Sequence, residues 1–247
     1  MQDIINGRCG WCGTDELYVK YHDEEWGKTV TDDKTLFEFL VLESAQAGLS
    51  WITILKKREG YRKAFCNFDA TQVAQMTNED VERLMHFDGI VKNRLKIKST
   101  ITNAKLFLAI QKEFGSFYNY TLSFFPDRNP IINHFQSLSE IPVSSPESDA
   151  MSKDMKKRGF KFFGSTICYA HLQASGFIND HLTDCICRIR NNKTKKYTEA
   201  SKTSTQSGHP PPSERRPLQC YKICFSVCNT LRRNIILFRY YGIREKG

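Results

Sequence analysis

The stretch "NRLKIKSTITNAKLFLAIQKEFG" (93–115) constrains the fold more than any other. Its apolar residues recur at helical spacing, and Gly115 marks the end, so it reads as one long amphipathic helix. Such a face has to be buried against other elements. The rest of the first 187 residues supplies helices for that purpose. "DDKTLFEFLVLESAQAG" offers Asp32 or Asp33 as an N-cap and an apolar row at Leu36, Leu40 and Ala47. "SWITILKKREGYRKAF" opens at Ser50 and carries Trp51, Ile54 and Leu55 at helical spacing. In "TQVAQMTNEDVERLMHF", Thr77 followed by Asp80 has the form of a capping box. "SPESDAMSKDMKKRGF" and "GSTICYAHLQASG" give two more helices, and alternating strand-like runs are scarce. The expectation is an all-α bundle over residues 1–187.

Charge separates that body from the C-terminal part of the chain. The formal net charge is +9, but residues 188–247 hold 14 Lys/Arg against 3 Asp/Glu, which leaves 22 against 24 for residues 1–187. Nucleic-acid binding by the body therefore has to rest on local patches. The stretch "RNNKTKKYTEASKTSTQSGHPPPSERRP" (190–217) is too polar to offset the entropy of ordering it, and reads as a disordered linker. Beyond it, residues 218–241 suit a short helix with Cys220, Cys224 and Cys228 on one face. Residues 188–247 thus form a basic tail. No apolar run is long enough to span a bilayer, and "MQDIINGRCG" lacks the apolar core of a signal peptide. In the reducing compartment this implies, the 9 cysteines are expected as thiols or metal ligands.

Three groups of residues carry chemistry. Glu43 falls on the row Leu36, Leu40, Ala47, which puts a carboxylate on a buried stripe. A carboxylate is costly there unless it meets a neighbouring helix end or a ligand. Trp11, Tyr18, Tyr21, Trp26, Phe37, Phe39 and Trp51 crowd the same part of the chain. Aromatic rings with one carboxylate suit a flat cationic ligand. Second, "FDGIVKNRLKIKS" (87–99) places a turn at Asp88-Gly89-Ile90 before Lys92, Arg94, Lys96 and Lys98. That pattern fits either a backbone clamp on DNA phosphates or a solvated basic helix start. Third, His181 and Cys185 are four apart, as two ligands on one helix face would be. Cys9 and His22 would complete a Cys2His2 set, although the pairs are remote and the spacing is not that of a zinc finger.

"RCGW", "LYVKYHDEEWG", "LFEFLVLESAQAGLSWITILKKRE" and "KKRGFKFFGSTICYAHLQASGFINDH", closed by Cys185, resemble the 3-methyladenine DNA glycosylase I family of bacterial alkylation repair. The similarity runs from about Arg8 to Cys187. It implies an all-α, helix-hairpin-helix DNA glycosylase fold with one structural zinc tying the N-terminus to the end of the domain. The zinc ligands would be Cys9, His22, His181 and Cys185, with Cys12 and Cys187 as nearby substitutes. The base pocket would fall on Glu43, Tyr21 and Trp51, walled by Trp11, Tyr18 and Trp26. Glu43 would recognise the base first and promote cleavage second. Gln46 and Leu49 lie beside the pocket, and Leu49 is the candidate wedge into the base stack. Gly89, Lys92 and Arg94 would meet the DNA backbone. The implied reaction is monofunctional hydrolysis of the N-glycosidic bond of 3-methyladenine in double-stranded DNA. The implied state is a monomer, cytoplasmic in a bacterium or nuclear in a eukaryote. The runner-up is a lesion-binding protein of the same fold that does not cut. The tail matches nothing in the family pattern; it is either an added nucleic-acid-binding arm or sequence read through from outside the domain.

Overall fold

A computed structural model describes residues 2–188. The expectations for residues 189–247 lie outside them. The chain begins with a hairpin of β1 (Ile4–Ile5) and β2 (Arg8–Cys9), turned by Asn6-Gly7, both at positive φ. Then come α1 (Glu16–Glu24), α2 (Asp33–Gln46), α3 (Trp51–Leu55), α4 (Arg58–Ala64), α5 (Ala70–Ala74), α6 (Asn78–Met85) and α7 (Arg94–Phe114). The series closes with α8 (Phe117–Leu122), β3 (Ile131–Ile132), α9 (Pro146–Arg158), α10 (Ser165–Ala174) and β4 (Ile178–Asn179). The fold is mostly helical, as the periodicity predicts. The two small strand pairs depart from a pure bundle: the β1–β2 hairpin, and a parallel pair in which Ile131 faces Ile178. The second pair lets a loop before α9 grip the end of the domain. Among the described residues no helix is long and apolar enough to cross a membrane.

The helix at the centre is α2. Every residue from Leu36 to Gln46 is buried, because α3, α7, α8 and α10 pack around it. The expected single row of apolar contacts is therefore too narrow a description. Its N-cap is Asp32, whose Oδ1 accepts from the Thr35 N–H at 2.8 Å. Asp33 instead reaches the start of α8, accepting from the Phe117 and Tyr118 amides. The capping box of Thr77 and Asp80 starts α6, and Gly115 at φ +80 ends α7, both as expected.

One expected helix is broken in two. The 50–65 segment divides at Lys57, where ψ opens to 0. The break turns α4 so that Gly60 lies back to back with Gly89 of the 86–93 turn. Tyr61 fixes the same contact, its hydroxyl accepting from the Val91 N–H at 3.2 Å. In the 71–87 segment, α5 ends at Ala74 before Thr77, in extended conformation, starts the capped α6 as expected.

Candidate functional site

One pocket gathers most of the residues singled out in sequence. Trp11, Tyr18, Tyr21, Trp26, Glu43 and Trp51 line it, together with Gln46, Ala170 and Gln173. It encloses about 320 Å³ of space, its open mouth included. The wall is built from inclined rings: Trp11 lies 5.2 Å from Tyr18 and 4.9 Å from Trp26, and Tyr21 lies 5.3 Å from Trp51. Such tilted contacts are favoured by the ring quadrupoles and hold each ring in place. Glu43 is 3 % exposed, so its carboxylate stands within the aromatic wall. Burial first and the charge of Glu43 second push the Tyr21 phenol well above its ordinary pKa. Tyr21 is thus a neutral hydroxyl, able to donate.

In this lining, Trp51 Nε1 and Gln46 Oε1 have no hydrogen-bond partner among the described residues. Leaving such groups buried and unmet costs about 1–3 kcal/mol each. A donor and an acceptor kept in that state at one pocket mark a place for a planar molecule with complementary edges.

Ion pairing fixes the frame. Arg58 of α4 bridges Glu25, just after α1, and Glu38 of α2 at 2.7 Å each, and Arg62 adds a contact to Glu38 at 2.9 Å. Glu38 is 6 % exposed, so this pairing is far less screened than a surface bridge. From the other side, α10 contributes Ala170 and Gln173. Gln173 Nε2 donates to Asp180 at 2.7 Å, and Asp180 also accepts from Asn133 at 2.7 Å and from the Tyr169 hydroxyl. Burial raises the Asp180 pKa, and these three donors oppose that rise. Sequence reasoning missed Ala170, Gln173 and Asp180. The readable signal was the three-residue spacing of Ala170 and Gln173, which puts both on one helix face.

Behind the pocket lies the Cys/His cluster. One ligand atom each from Cys9, His22, His181 and Cys185 falls within 4.8 Å of the others, and all four residues are buried. Cys185 Sγ lies 3.5 Å from His22 Nε2 and 3.4 Å from His181 Nδ1, and Cys9 Sγ lies 3.7 Å from His181 Nδ1. The N–S edge of a tetrahedron with ordinary zinc bond lengths is about 3.5 Å. Each imidazole has an acceptor at its outer nitrogen, which favours the tautomer that a metal needs. His22 Nδ1 faces Asp23 at 2.8 Å and His181 Nε2 donates to the Trp26 carbonyl at 3.1 Å, so each turns its other nitrogen's lone pair inward. Burial pushes Asp23 up, but hydrogen bonds from Arg8 and His22 outweigh it and hold its carboxyl at about 2. Cys185 is the sulfur held lowest, by contacts from Cys187 and Cys9, while Cys9 is pushed up by Cys185 and burial. The donor set therefore fits a metal ion. Cys187 touches Cys185 but groups with His22 and Asp23, outside the four-residue set, and the Cys12 sulfur turns to the Gly13 carbonyl.

The 179–187 segment corrects one expectation. His181 and Cys185 converge from a loop after β4, not from one helix face. Asn179 Oδ1 accepts from the His181 amide, and the Leu182 amide donates to Cys9 Sγ at 3.4 Å. The loop is thus wrapped around the Cys9 sulfur. Trp26 belongs to both sites, since its ring walls the pocket and lies 4.7 Å from His181.

The 86–93 turn joins α6 to α7 at one edge. Lys92 pairs with Asp88, Arg94 pairs with Glu82, and Lys96 turns inward. Leu49 is partly buried against the core in the turn between α2 and α3.

The fold and pocket define a class of mostly helical protein with a buried carboxylate set among aromatic walls. The family model described as methyladenine glycosylase matches residues 11–188. The chain belongs to the methyladenine glycosylase family. It is 51 % identical over 180 residues to DNA-3-methyladenine glycosylase 1 of Escherichia coli (strain K12), covering 73 % of this chain and 96 % of that one. It is 45 % identical over 181 residues to DNA-3-methyladenine glycosylase of Haemophilus influenzae, covering 73 % and 97 %. A crystal structure of a variant 3-methyladenine DNA glycosylase I in complex with 3-methyladenine superposes with a TM-score of 0.71 at 38 % identity, over 73 % of this chain and 97 % of the other.

Proposed function

We infer that this protein hydrolyses the N-glycosidic bond of 3-methyladenine in alkylated double-stranded DNA, acting as a monomer through residues 1–187. The observation that carries the reading is the buried Glu43 carboxylate inside an aromatic pocket where Trp51 Nε1 and Gln46 Oε1 have no partner among the described residues. A base methylated at N3 while still joined to the sugar is cationic and flat. Aromatic faces and a carboxylate attract such a ring, and uncharged adenine lacks the second attraction.

The damaged nucleotide leaves the helix at a cost of about a few kcal/mol, which weakened pairing reduces. Leu49 enters the gap in the base stack. The base then stacks on Trp51, meets Glu43 and receives a hydrogen bond from the neutral Tyr21 hydroxyl, with Trp11, Tyr18 and Trp26 closing the wall. Water attacks C1′. The C1′–N bond breaks with its electron pair going to the base, whose positive charge is thereby cancelled, and the water proton passes to solvent. The leaving group needs no protonation, so Glu43 acts chiefly by recognition and by stabilising charge next to the sugar.

The turn at 86–93 with α6 and α7 serves as the helix-hairpin-helix. Gly89 approaches the phosphates, and Lys92 and Arg94 exchange their carboxylate partners for the backbone. Cys9, His22, His181 and Cys185 would hold one zinc ion, which with four protein ligands supplies cross-linking and no open position for water.

The test is to incubate the protein with methylated DNA and identify the released bases by chromatography, beside Glu43→Gln. Selective release of 3-methyladenine, impaired in the variant, supports the reading. A folded protein that binds the lesion and releases nothing would overturn it in favour of a lesion-binding module.

A further inference from the structure

Lys96 stands in the basic row that comes after the 86–93 turn, but it does not face outward. Its ammonium donates to the carbonyls of Ala45 and Ala47 at 2.7 Å each. Among the described residues it makes no ion pair. Those carbonyls belong to the end of α2, where a helix leaves its last C=O groups without intrahelical partners and carries its negative pole. Burial lowers the Lys96 pKa. The carbonyl between them, that of Gln46, accepts from the Leu49 amide at 2.6 Å, and Gln46 Nε2 reaches back to the Leu49 carbonyl at 3.4 Å. Gly48 at φ +81 makes that tight reversal feasible. Ser50 then stands at the N-cap position of α3 ahead of Trp51, its hydroxyl paired with that of Thr53 at 2.7 Å. Residues 46–51 are therefore one closed turn that presents Gln46 and Trp51 to the pocket and carries Leu49, and Lys96 is the cation seated on its entrance.

We propose that Lys96 is a positioning residue: from the first turn of α7 it clamps the end of α2, setting the 46–51 turn for base extrusion and linking it to the 86–93 hairpin. This rests on the assignment of the pocket to the extruded base and of Leu49 to the gap it leaves. A phosphate contact is the alternative use of a lysine at this point in the sequence. The two uses exclude each other, because an ammonium held by two carbonyls is withdrawn from the DNA surface. Positioning affects the step after DNA is bound, and a phosphate contact affects DNA binding and its salt dependence.

The experiment compares Lys96→Met and Lys96→Arg with the exposed Lys98→Met in the full chain. It measures single-turnover release of 3-methyladenine at saturating protein, and affinity for undamaged duplex across a salt series. Lys96→Met is expected to excise about 10-fold more slowly at saturation. Its undamaged-DNA affinity and salt slope should match the parent, and Lys96→Arg, which keeps a charged donor, should recover most of the rate. An unchanged rate in Lys96→Met would overturn the proposal. So would a salt slope reduced by about one with the saturated rate intact, the mark of a phosphate contact. A loss that Lys96→Arg does not recover at all would assign Lys96 to general packing and also overturn it. Failure of the parent protein to release 3-methyladenine would instead sink the pocket reading, and the proposal with it.

Discussion

Alanine at position 60 sets helix propensity against packing. Within a helix, glycine to alanine ordinarily gains about 1 kcal/mol, since alanine gives up less backbone entropy on folding. Gly60 lies inside α4, so propensity alone forecasts a more stable protein. The structure forecasts the opposite. A Cβ built on Gly60 falls 2.6 Å from Gly89 Cα and 2.5 Å from the Gly89 carbonyl carbon, and closer still to its oxygen. These are backbone atoms, so no side chain can swing aside. The 86–93 turn has to retreat by about 1 Å to restore ordinary carbon contacts. Overpacking of this kind costs about 1–3 kcal/mol, and the Tyr61–Val91 hydrogen bond on the same contact adds about 1 kcal/mol when stretched. Set against the propensity gain, the net loss is about 1–3 kcal/mol. That lowers the thermal midpoint by roughly 3–10 °C for a domain of this size. Calorimetry reads the shift, and binding to undamaged duplex reads the displaced hairpin. Affinity for free 3-methyladenine, followed by tryptophan fluorescence, should be unchanged, because all 3 tryptophans line the pocket away from this contact. A midpoint that rises by a few degrees would refute the reasoning.

Glu43→Gln keeps the shape of the pocket and removes its charge, so 3,9-dimethyladeninium, which keeps the positive charge that the released base loses, should bind about 10-fold more weakly than to the parent; equal affinities would show that charge plays no part. Zinc supplied to the parent protein should be retained, and Cys185→Ala should lose it and show a lower thermal midpoint; equal zinc content by atomic absorption would remove Cys185 from the site. Asp180→Ala leaves the buried Asn133 and Gln173 amides and the Tyr169 hydroxyl short of an acceptor and should cost about 2–4 kcal/mol by urea denaturation; a loss under 1 kcal/mol would deny Asp180 its role as a hub. His171 lies fully buried between Phe117 and Phe163 with neither ring nitrogen partnered, and burial lowers its pKa to about 3. The unfolded chain takes up that proton near pH 6.5 and the folded protein does not, so stability should fall as pH drops from about 6.5 towards 3, by up to about 4 kcal/mol. His171→Leu should flatten that slope, and an identical slope in the variant would refute the assignment.

What was legible in the sequence had local causes. The Thr77–Asp80 box, the Asp32 cap and Gly115 are each decided by a few neighbouring residues, and each was readable. The pocket aromatics were also readable, since five of them fall within the first fifty-one residues alongside Glu43. The break at Lys57 was not, because it follows from the distant approach of Gly89 to Gly60. Nor was the inward turn of Lys96, which needs the end of α2 to arrive from about fifty residues away. The spacing of His181 and Cys185 suggested a helix, whereas their convergence is imposed by Cys9, whose sulfur takes a loop amide. The contribution of α10 to the pocket was hidden for the same reason: the spacing of Ala170 and Gln173 puts them on one helix face, but only the pairing of β3 with β4 and the bond from Gln173 to Asp180 direct that face to the pocket.

The Cys/His cluster draws together residues 9 and 22 from the beginning of the domain and 181 and 185 from its end. During synthesis, the first pair emerges about 160 residues before the second. At about 5–20 residues per second, that is a wait of roughly ten to thirty seconds. For that time Cys9 and His22 are half a site with nothing to share. The cluster closes only when the last turn of the domain is released, so its completion reports that the whole domain has been made. A product that stops short of Cys185 carries the pocket's aromatic wall and Glu43 but leaves the Trp26 carbonyl without a secured His181 against it. The order of translation thereby supplies the support behind Trp26 last, long after the aromatic wall it backs has been made.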